Sequence, residues 1–347
     1  MSTTEGAGSR RVTLDDVAAA AGVSPAAVSL ALRGKAGVAR ATRQRIVDVA
    51  AGLGYHVRPV QGPPVQYTIG LLLATRRAGP PERSHGPVVT AITAACADAG
   101  ADIRLGTLAL DDDDEPVDAP TLTRQAGING FLVLGPWLSR ASASMFGRRP
   151  VVLIDGDTED RDAFSTVVGD DAGGSADATF ALVKHGHRRI VFAGASDDAR
   201  ASILERRRGY TEAMRDSGLQ PSYADGSIDD PDGVAAGVMS ELRRRRRYSA
   251  VVAANDAVAL AVLAAAIAAR IRVPADLSIT GFDDIQATRL VSPKLTTVTV
   301  NNEAMGRLAT AMLLQRIDQP QDPPFTVLQR ARLISRESVA PPPGAPA

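Results

Sequence analysis

Short apolar runs alternate with longer helix-like runs from Tyr67 almost to the end of the chain, and this alternation constrains the fold more than any other feature. The strand-like runs are YTIGLLLA, DIRLGTLAL, GFLVLG, VVLID, TVVGDD, RIVFAGA, AVVAAND and LSITGFDD. Helix-like runs such as PVVTAITAACADAG and DAVALAVLAAAIAARI separate most of them. Such alternation is typical of doubly wound parallel sheets, and two sets of about four or five strands predict two sheets in succession.

The segment before these runs has a different character, because residues 13–54 contain only helix-like runs. Thr13 is a candidate N-cap for LDDVAAAA, and Gly22 is positioned to end that helix. Ser24 is a candidate cap for PAAVSLAL, with Pro25 in the first turn, where proline is tolerated. A third helix is predicted from about residue 40 to residue 53, so this end of the chain forms a small helical unit.

Two proline-rich segments flank the long α/β region. Residues 56–66, HVRPVQGPPVQ, contain three prolines and a glycine, which exclude a long helix and indicate a linker. Residues 341–347, PPPGAPA, are predicted to be a disordered tail.

Charge is unevenly distributed along a chain whose formal net charge is zero. Residues 1–60 contain eight basic and four acidic side chains, so this segment carries about +4 and the remainder about −4. A basic unit joined to an acidic one suggests an anionic partner for the basic end, although small segments also acquire such a charge by chance.

Other classes of protein find little support in the sequence. No apolar run is long enough to span a bilayer, and MSTTEGAGSRR lacks the apolar stretch of a secretory signal. The single cysteine, Cys96, cannot form an internal disulfide, so a cytoplasmic location is expected. The sequence lacks GxSxG, GxxxxGKS, HExxH and CxxC motifs, so we predict no enzyme, cofactor or metal. His185 and His187 form an HxH pair that could bind a metal, but the end of a helix at Gly186 is the simpler interpretation.

Polar residues follow the predicted strands at the edge where parallel sheets bind ligands. They are Asp155, Asp170, Asp171, Asn255, Asp256, Asp283 and Asp284. Carboxylates and amides at one edge, with Arg206 nearby in the chain, suit a polyhydroxylated ligand. The alternative is that each residue merely caps the helix that follows it.

The order of these features decides between the functional alternatives. The segment TLDDVAAAAGVSPAAVSLALRG, with ATRQRI and LGY after it, resembles the N-terminal helix-turn-helix of the LacI/GalR family of bacterial transcription regulators. Downstream, RRRGYTEAM, AAND, VPADLSITGFDD, LTTV and SRES occur in the family's order, so the resemblance extends over nearly the whole chain.

The resemblance implies an all-α helix-turn-helix headpiece followed by an α/β two-lobed effector domain of the periplasmic-binding-protein type. The implied DNA-binding domain is 10–55, the hinge or linker is 56–66, and the effector domain is 67–340. Lobe 1 would comprise about 67–165 and 295–325, and lobe 2 about 166–294 and 326–340.

The function implied is that of a DNA-binding repressor. A sugar or sugar derivative bound between the lobes would modulate its affinity for a double-stranded DNA operator. The family also implies a cytoplasmic, nucleoid-associated homodimer that matches an operator of approximate two-fold symmetry. The alternative is a sugar-binding, receptor-like module in which the ligand does not control release of DNA.

Individual roles follow from the resemblance, position by position. It assigns contacts with DNA to Thr13, Leu14, Ser24, Pro25, Ala26, Ala27, Ser29, Leu30 and Arg33, and an approach to phosphates to Thr42 and Arg43. It assigns effector contacts to Asp155, Arg206, Asn255 and Asp283, with Arg206 and Asp283 bracketing ligand hydroxyls and Asn255 bridging the lobes.

The sequence departs from the family pattern in two places. Pro25, Ala26 and Leu30 are apolar where the family usually carries polar side chains, so base readout would depend on methyl contacts and on Ser29 or Arg33. Residues 56–66 lack the Pro-x-x-x-Ala-x-x-Leu pattern of the family's hinge helix, whose leucine enters the minor groove of DNA.

Overall fold

The computed structural model describes residues 13–32, 38–53, 67–76, 85–111, 115–160, 162–194, 196, 201–245 and 248–344. The chain divides into two compact units, residues 1–64 and residues 65–347. No helix in the described part of the chain is long and apolar enough to cross a membrane.

Three helices make up the described part of the smaller unit: α1 (Leu14–Ala21), α2 (Pro25–Leu32) and α3 (Arg40–Gly52). One fully buried side chain from each helix, Val17, Val28 and Ile46, meets in a common core. Leu53, directly after α3, is 40% exposed and does not belong to this core.

The ends of α1 and the start of α2 are fixed by local hydrogen bonds. The backbone N–H of Asp16 donates to Thr13 Oγ1 at 3.3 Å, and the backbone N–H of Thr13 donates to Asp16 Oδ2 at 2.8 Å, which completes a capping box. Gly22 ends the helix with a φ of 64°, and the Ser24 hydroxyl accepts from the backbone N–H of Ala27 at 3.2 Å. The predicted caps are therefore confirmed, and they place α1 and α2 as a helix-turn-helix pair.

The described residues of the larger unit form two six-stranded sheets, one in each lobe. The strands of the lobe 1 sheet are β1 (Tyr67–Arg76), β2 (Ala101–Leu110), β3 (Gly130–Leu134), β5 (Val151–Ile154), β7 (Ser165–Gly169) and β13 (Thr326–Gln329). A separate two-stranded pair in lobe 1 consists of β4 (Trp137–Leu138) and β6 (Asp157–Thr158). The six-stranded sheet has the order β13-β7-β5-β3-β1-β2, and all its neighbouring strands are parallel.

The strands of the lobe 2 sheet are β8 (Ile190–Ala193), β9 (Tyr223–Ala224), β10 (Ala250–Ala253), β11 (Ser278–Phe282), β12 (Thr296–Thr299) and β14 (Arg332–Ile334). This sheet has the order β14-β12-β11-β10-β8-β9. It is parallel except for the pair β12 and β14.

Helices cover these sheets, as the alternating sequence predicts. Lobe 1 carries α4 (His85–Asp98), α5 (Arg140–Ala143) and α10 (Asn302–Asp318), and lobe 2 carries α6 (Asp171–Lys184), α7 (Ala201–Asp216), α8 (Pro231–Arg245) and α9 (Asp256–Ala268). Each sheet has a separate apolar cluster on each of its two faces, which is the layered arrangement of a doubly wound fold.

The described chain passes between the lobes three times, after β7, after β12 and after β13. The predicted breaks at 165/166, 294/295 and 325/326 lie at or before the starts of these strands, and those lobe boundaries are wrong. Strands β7 and β13 pair with each other in lobe 1, and β12 pairs with β11 in lobe 2. An apolar run predicts a strand but does not identify its sheet, because its partners come from distant parts of the sequence.

Two predicted segments fall wholly or partly outside the described residues. The linker at 56–66 lies outside them, as do the last three residues of the predicted tail at 341–347. The start of that tail lies beside lobe 2, since a Cβ added to Gly186 would be 3.6 Å from the ring of Pro342.

Candidate functional site

The polar strand ends of the two lobes lie close together in space. Asp155 follows β5 of lobe 1, whereas Asp171 starts α6 and Asp283 follows β11 in lobe 2. The charge of Asp155 raises the pKa of both Asp171 and Arg206, so it is near them although its strand belongs to the other lobe. The carboxyl edges of the two sheets therefore border one crevice, which we call the interlobe crevice.

Three of the acids at this edge have unusual backbone conformations. The φ angles of Asp155, Asp283 and Asp284 are 50°, 109° and 50°, in the left-handed region that residues with a side chain rarely adopt. Such strain persists only where the surrounding structure enforces it, and it is concentrated at functional sites. The backbone thus indicates the same edge as the polar side chains do.

Arg206 on α7 is the centre of the charged group in the crevice. Its Nε donates to Asp171 Oδ1 at 2.7 Å, and its Nη2 lies 3.1 Å from Asp283 Oδ1. Its Nη1 donates to the carbonyl oxygen of Ala254 at 2.9 Å, and its guanidinium lies 3.7 Å from the ring centroid of Phe282. The side chain is buried and its orientation is fixed from several directions.

Burial and neighbouring charges shift the pKa values of Asp171 and Arg206 in opposite directions. Burial raises the pKa of the Asp171 carboxyl to about 7 even though Arg206 opposes the shift. Burial disfavours the charged form of Arg206, but Asp283 and Asp171 outweigh it, and the pKa of Arg206 is raised. Arg206 therefore stays charged and holds Asp283, whose side chain is 25% exposed, at the surface of the crevice.

Asn255, the fourth predicted effector contact, caps a helix. Its side-chain Oδ1 accepts from the backbone N–H of Val258 at 2.9 Å, which fixes the first turn of α9. Asp170 caps α6 in the same way through Gly173 at 2.8 Å. The capping alternative therefore holds for these two residues, and a ligand contact from the remaining amide group of Asn255 stays a prediction.

Asp256 was one of the strand-end acids in the sequence, but no individual effector contact was assigned to it. It is fully buried, and its carboxylate accepts from Thr297 Oγ1 at 2.5 Å and from the backbone N–H of Ile285 at 2.9 Å. A Cβ added to Gly281 would lie 2.2 Å from Asp256 Oδ1, so the glycine makes room for this carboxyl. The available signal was its place directly after Asn255 at the end of β10.

We expect the free energy of unfolding to fall as the pH rises from about 4 to about 8. Burial, followed by the charge of Asp283, raises the pKa of Asp256 from 3.8 to about 8. Between these values the folded protein binds a proton that the unfolded chain has lost, so increasing pH removes stability. Urea denaturation at several pH values measures this slope.

Asp256→Asn should reduce that slope, because the amide cannot titrate and keeps an oxygen acceptor. A smaller slope should remain, because burial also raises the pKa of Asp171 to about 7. Asp177→Asn, at an exposed position on α6, serves as the control and should leave the slope unchanged. Equal slopes in the wild type and Asp256→Asn would contradict the assignment.

Asp171 was recognised in the sequence only as one of several acids, and the structure makes it the partner of Arg206. The close packing of α7 on α6 brings them together. A Cβ added to Gly209 would lie 2.0 Å from the carbonyl oxygen of Ala172, so this approach requires glycine. Gly209 lies three residues after Arg206, in the RRRGY segment that carries part of the family resemblance.

The predicted DNA contacts divide into several groups in the helical unit. Thr13 and Ser24 cap helices, and Leu14 packs against the core. Pro25 is exposed, and the partly exposed set consists of Ala27, Leu30, Thr42 and Arg43. The side chains of Ala26 and Ser29, and the whole of Arg33, lie outside the described residues.

Arg43 has a role within the fold that the sequence did not indicate. Its Nη1 donates to the carbonyl oxygen of Ala31 at 2.7 Å and to that of Leu30 at 3.4 Å. A cation at the last carbonyls of a helix is favourable, so Arg43 fixes the end of α2. It thereby connects α3 with the helix predicted to read DNA.

His185 and His187 make separate contacts. Both ring nitrogens of His187 have partners in lobe 2, Ser249 Oγ at 2.9 Å and the carbonyl oxygen of Ala340 at 2.8 Å. His185 Nδ1 lies 2.7 Å from the carbonyl oxygen of Ala181. Among the residues that the structure describes, there is no group of three side chains suited to holding a metal ion.

Two family profiles match separate segments of the chain. Residues 13–57 match the profile described as bacterial regulatory proteins, lacI family. Residues 180–339 match the profile described as a periplasmic binding protein-like domain.

Individual proteins match over nearly the full length of the chain. The ribose operon repressor of Haemophilus influenzae is 28% identical over 334 residues, which cover 94% of this chain and 98% of that protein. The HTH-type transcriptional regulator CelR of Thermobifida fusca is 29% identical over 356 residues, with coverages of 95% and 98%. A solved structure of a transcriptional regulator CelR–cellobiose complex superposes with a TM-score of 0.65 at 27% identity, covering 94% of this chain and 100% of that one. The predicted combination of a helix-turn-helix headpiece and a two-lobed α/β domain is thereby confirmed.

Proposed function

The chain belongs to the LacI family of bacterial regulatory proteins, and we propose that it is a transcriptional repressor whose affinity for its operator is controlled by a sugar bound in the interlobe crevice. The observation that carries the proposal is the Arg206 cluster, in which Arg206 contacts Asp171 and Asp283 close to Asp155 of the other lobe. Its relatives are transcription regulators, and we assign this chain no catalytic activity.

The chemistry of the crevice favours a ligand rich in hydroxyl groups. The Arg206 guanidinium already has two carboxylate partners, so it is poorly placed to receive an anionic ligand. The partly exposed acids Asp283 and Asp155 can each accept hydrogen bonds from hydroxyl groups. A neutral sugar held between acids of both lobes would change the angle between the lobes.

The headpiece would recognise DNA through α2. Phosphate contacts, assigned to Thr42 and Arg43, fix the position of the domain, whereas contacts with base edges give sequence specificity. The apolar side chains of Pro25, Ala26 and Leu30 can contact thymine methyl groups but cannot donate hydrogen bonds. We therefore assign the polar part of base recognition to Ser29 and Arg33.

A homodimer is the assembly that fits this mode of recognition. Two headpieces related by a two-fold axis would bind the two half-sites of an operator with approximate two-fold symmetry. The angle between the lobes would alter the spacing of the headpieces and couple sugar binding to operator affinity. We place the protein at the nucleoid in the cytoplasm, because its proposed target is DNA.

The second candidate is a sugar-binding module that does not control DNA release. The observation that favours it is the sequence of residues 56–66, which lacks the family's hinge-helix pattern. Without that helix, a change in the lobes would have no minor-groove contact to disrupt.

Operator binding with and without sugars tests the proposal. Genomic footprinting with the full chain identifies the operator, and fluorescence anisotropy then measures its affinity with cellobiose, ribose and other neutral sugars present. A sugar that binds to the protein and changes operator affinity supports the repressor. Sugar binding without any change in operator affinity would favour the second candidate. Failure to bind any genomic site would refute the repressor, and sugar binding by the same protein would then favour the second candidate.

A further inference from the structure

A cavity of about 200 Å³ lies in lobe 1 at the edge of the sheet opposite the interlobe crevice. It is lined by residues that immediately precede strands β5 and β7, among them Pro150 and Phe164, and by Arg316 near the end of α10. The crevice borders the carboxyl ends of these strands, whereas this cavity borders their amino ends. It therefore cannot be part of the proposed effector site.

Three arginines, Arg148, Arg149 and Arg316, line the cavity. None of them forms an ion pair with a carboxylate of the described residues, whereas Arg206, Arg208, Arg272, Arg289 and Arg336 all do. Arg149 instead donates to the carbonyl oxygens of Thr123 and Phe146 at 2.5 and 2.9 Å. The cavity is thus lined by positive charges that form no ion pair with a described carboxylate.

Arg316 supplies the most specific indication of a ligand. Its Nη1 donates to the backbone carbonyl oxygen of Asp322 at 2.9 Å, but its buried Nε has no acceptor among the described residues. Buried polar groups are nearly always paired, so an unpaired donor beside a cavity indicates a missing acceptor. Burial also lowers the pKa of Arg316, although Asp322 opposes the shift. A bound anion would accept a hydrogen bond from this Nε and would stabilise the charged form of Arg316.

The walls of the cavity restrict the size and shape of a ligand. Phe146 and Phe164 pack edge to face, with ring centroids 6.2 Å apart, and both line the cavity. Its volume is below the roughly 300–1,000 Å³ of pockets for drug-sized ligands. It can hold an anionic group with only a small organic body.

We propose that this cavity binds a small anion carrying a phosphoryl group, either inorganic phosphate or a small phosphate ester. Guanidinium groups pair with phosphoryl oxygens through parallel, charge-assisted hydrogen bonds. A phosphoryl group has three such oxygens and nearly two negative charges at neutral pH, which suits three arginines better than a single carboxylate does. This site is independent of the sugar-binding proposal.

Calorimetric titration of the full chain with inorganic phosphate, at constant ionic strength in a phosphate-free buffer, tests the site. We expect saturable binding that is at least 10-fold weaker in Arg316→Gln and several-fold weaker in Arg148→Gln. Arg215→Gln, on an exposed part of α7 in lobe 2, is the matched control and should bind as the wild type does. Arg149 is left intact, because its guanidinium holds two backbone carbonyls of lobe 1.

The three variants, together with a titration with acetate, distinguish the possible outcomes of this experiment. Arg148 is exposed and has no partner among the described residues, so its replacement tests the charge even if Arg316→Gln perturbs the end of α10. Phosphate binding that is absent, or equally strong in all three variants, would overturn the site. Acetate binding as tight as that of phosphate would overturn the phosphoryl assignment.

Discussion

Replacing Arg206 with alanine is expected to lower the free energy of unfolding of the two-lobed unit by about 3–5 kcal/mol. The change removes the group that contacts Asp171 at 2.7 Å and Asp283 at 3.1 Å, and it leaves the buried carboxyl of Asp171 without its cationic partner. The carbonyl oxygen of Ala254 also loses its donor. Urea denaturation followed by circular dichroism measures the change.

The same variant should lose the response to a sugar, because Asp283 would no longer be held at the crevice. We expect operator affinity in Arg206→Ala to be unaffected by a sugar that alters it in the wild type. Binding without sugar should persist under conditions in which the variant remains folded, since the headpiece is a separate compact unit.

Arg208→Ala is the matched control for this prediction, two residues further along the same helix. Arg208 pairs with Glu205 at 2.6 Å and with Glu212 at 2.8 Å, but all three side chains are about half exposed. Exposed ion pairs contribute less than about 1 kcal/mol, so this variant should remain close to the wild type in stability and in sugar response. Equal stability of the two variants would show that Arg206 does not hold the cluster together.

Local signals in the sequence predicted the headpiece well. The caps at Thr13 and Ser24 and the end of α1 at Gly22 depend on residues only a few positions apart, and the structure contains each of them. Arg43 shows the limit of this reasoning, because its acceptors at Leu30 and Ala31 are 13 and 12 residues away. Only the packing of α3 against α2 brings them within reach.

The sequence predicted where the polar residues of the crevice lie, but not which of them contact one another. Parallel strands place their carboxyl ends at one edge of a sheet, which predicted polar residues at that edge. The grouping of Asp155 and Asp283 with Arg206 was implied by the resemblance to the LacI/GalR family. The cap of α9 by Asn255 was one of the two alternatives that the sequence left open. Sequence order could not show that Arg206 pairs with Asp171 and Asp283. Those contacts depend on how closely α7 approaches α6.

Sheet membership at the lobe crossings was the least predictable part of the fold. Strand β13 pairs with β7 across about 160 residues of intervening chain, with Thr166 Oγ1 donating to Thr326 Oγ1 at 2.8 Å. No feature near either strand encodes that pairing. The apolar pattern predicted β7 but neither β12 nor β13. The lobe boundaries implied by the family resemblance assigned all three strands to the wrong lobe.

Operator affinity is expected to fall steeply with salt concentration. A protein that neutralises phosphates with basic side chains releases counterions, and the logarithm of its affinity falls linearly with the logarithm of salt concentration. A dimer contacting about six phosphates would lose about 10³-fold in affinity between 50 and 200 mM salt. Fluorescence anisotropy with the footprinted operator, measured over that range, gives the slope.

Substitutions in α3 assign part of this slope to individual residues. Arg43→Gln should reduce the magnitude of the slope by about 1 for each phosphate that the dimer no longer neutralises, and it should weaken binding to all sequences similarly. Arg45→Gln is the matched control, because Arg45 is an exposed arginine of the same helix without an assigned DNA contact. An unchanged slope in Arg43→Gln would remove Arg43 from the phosphate contacts and leave it only its bonds to the end of α2. A flat salt response in the wild type would contradict DNA binding by the headpiece altogether, because no basic surface can neutralise phosphates without releasing counterions.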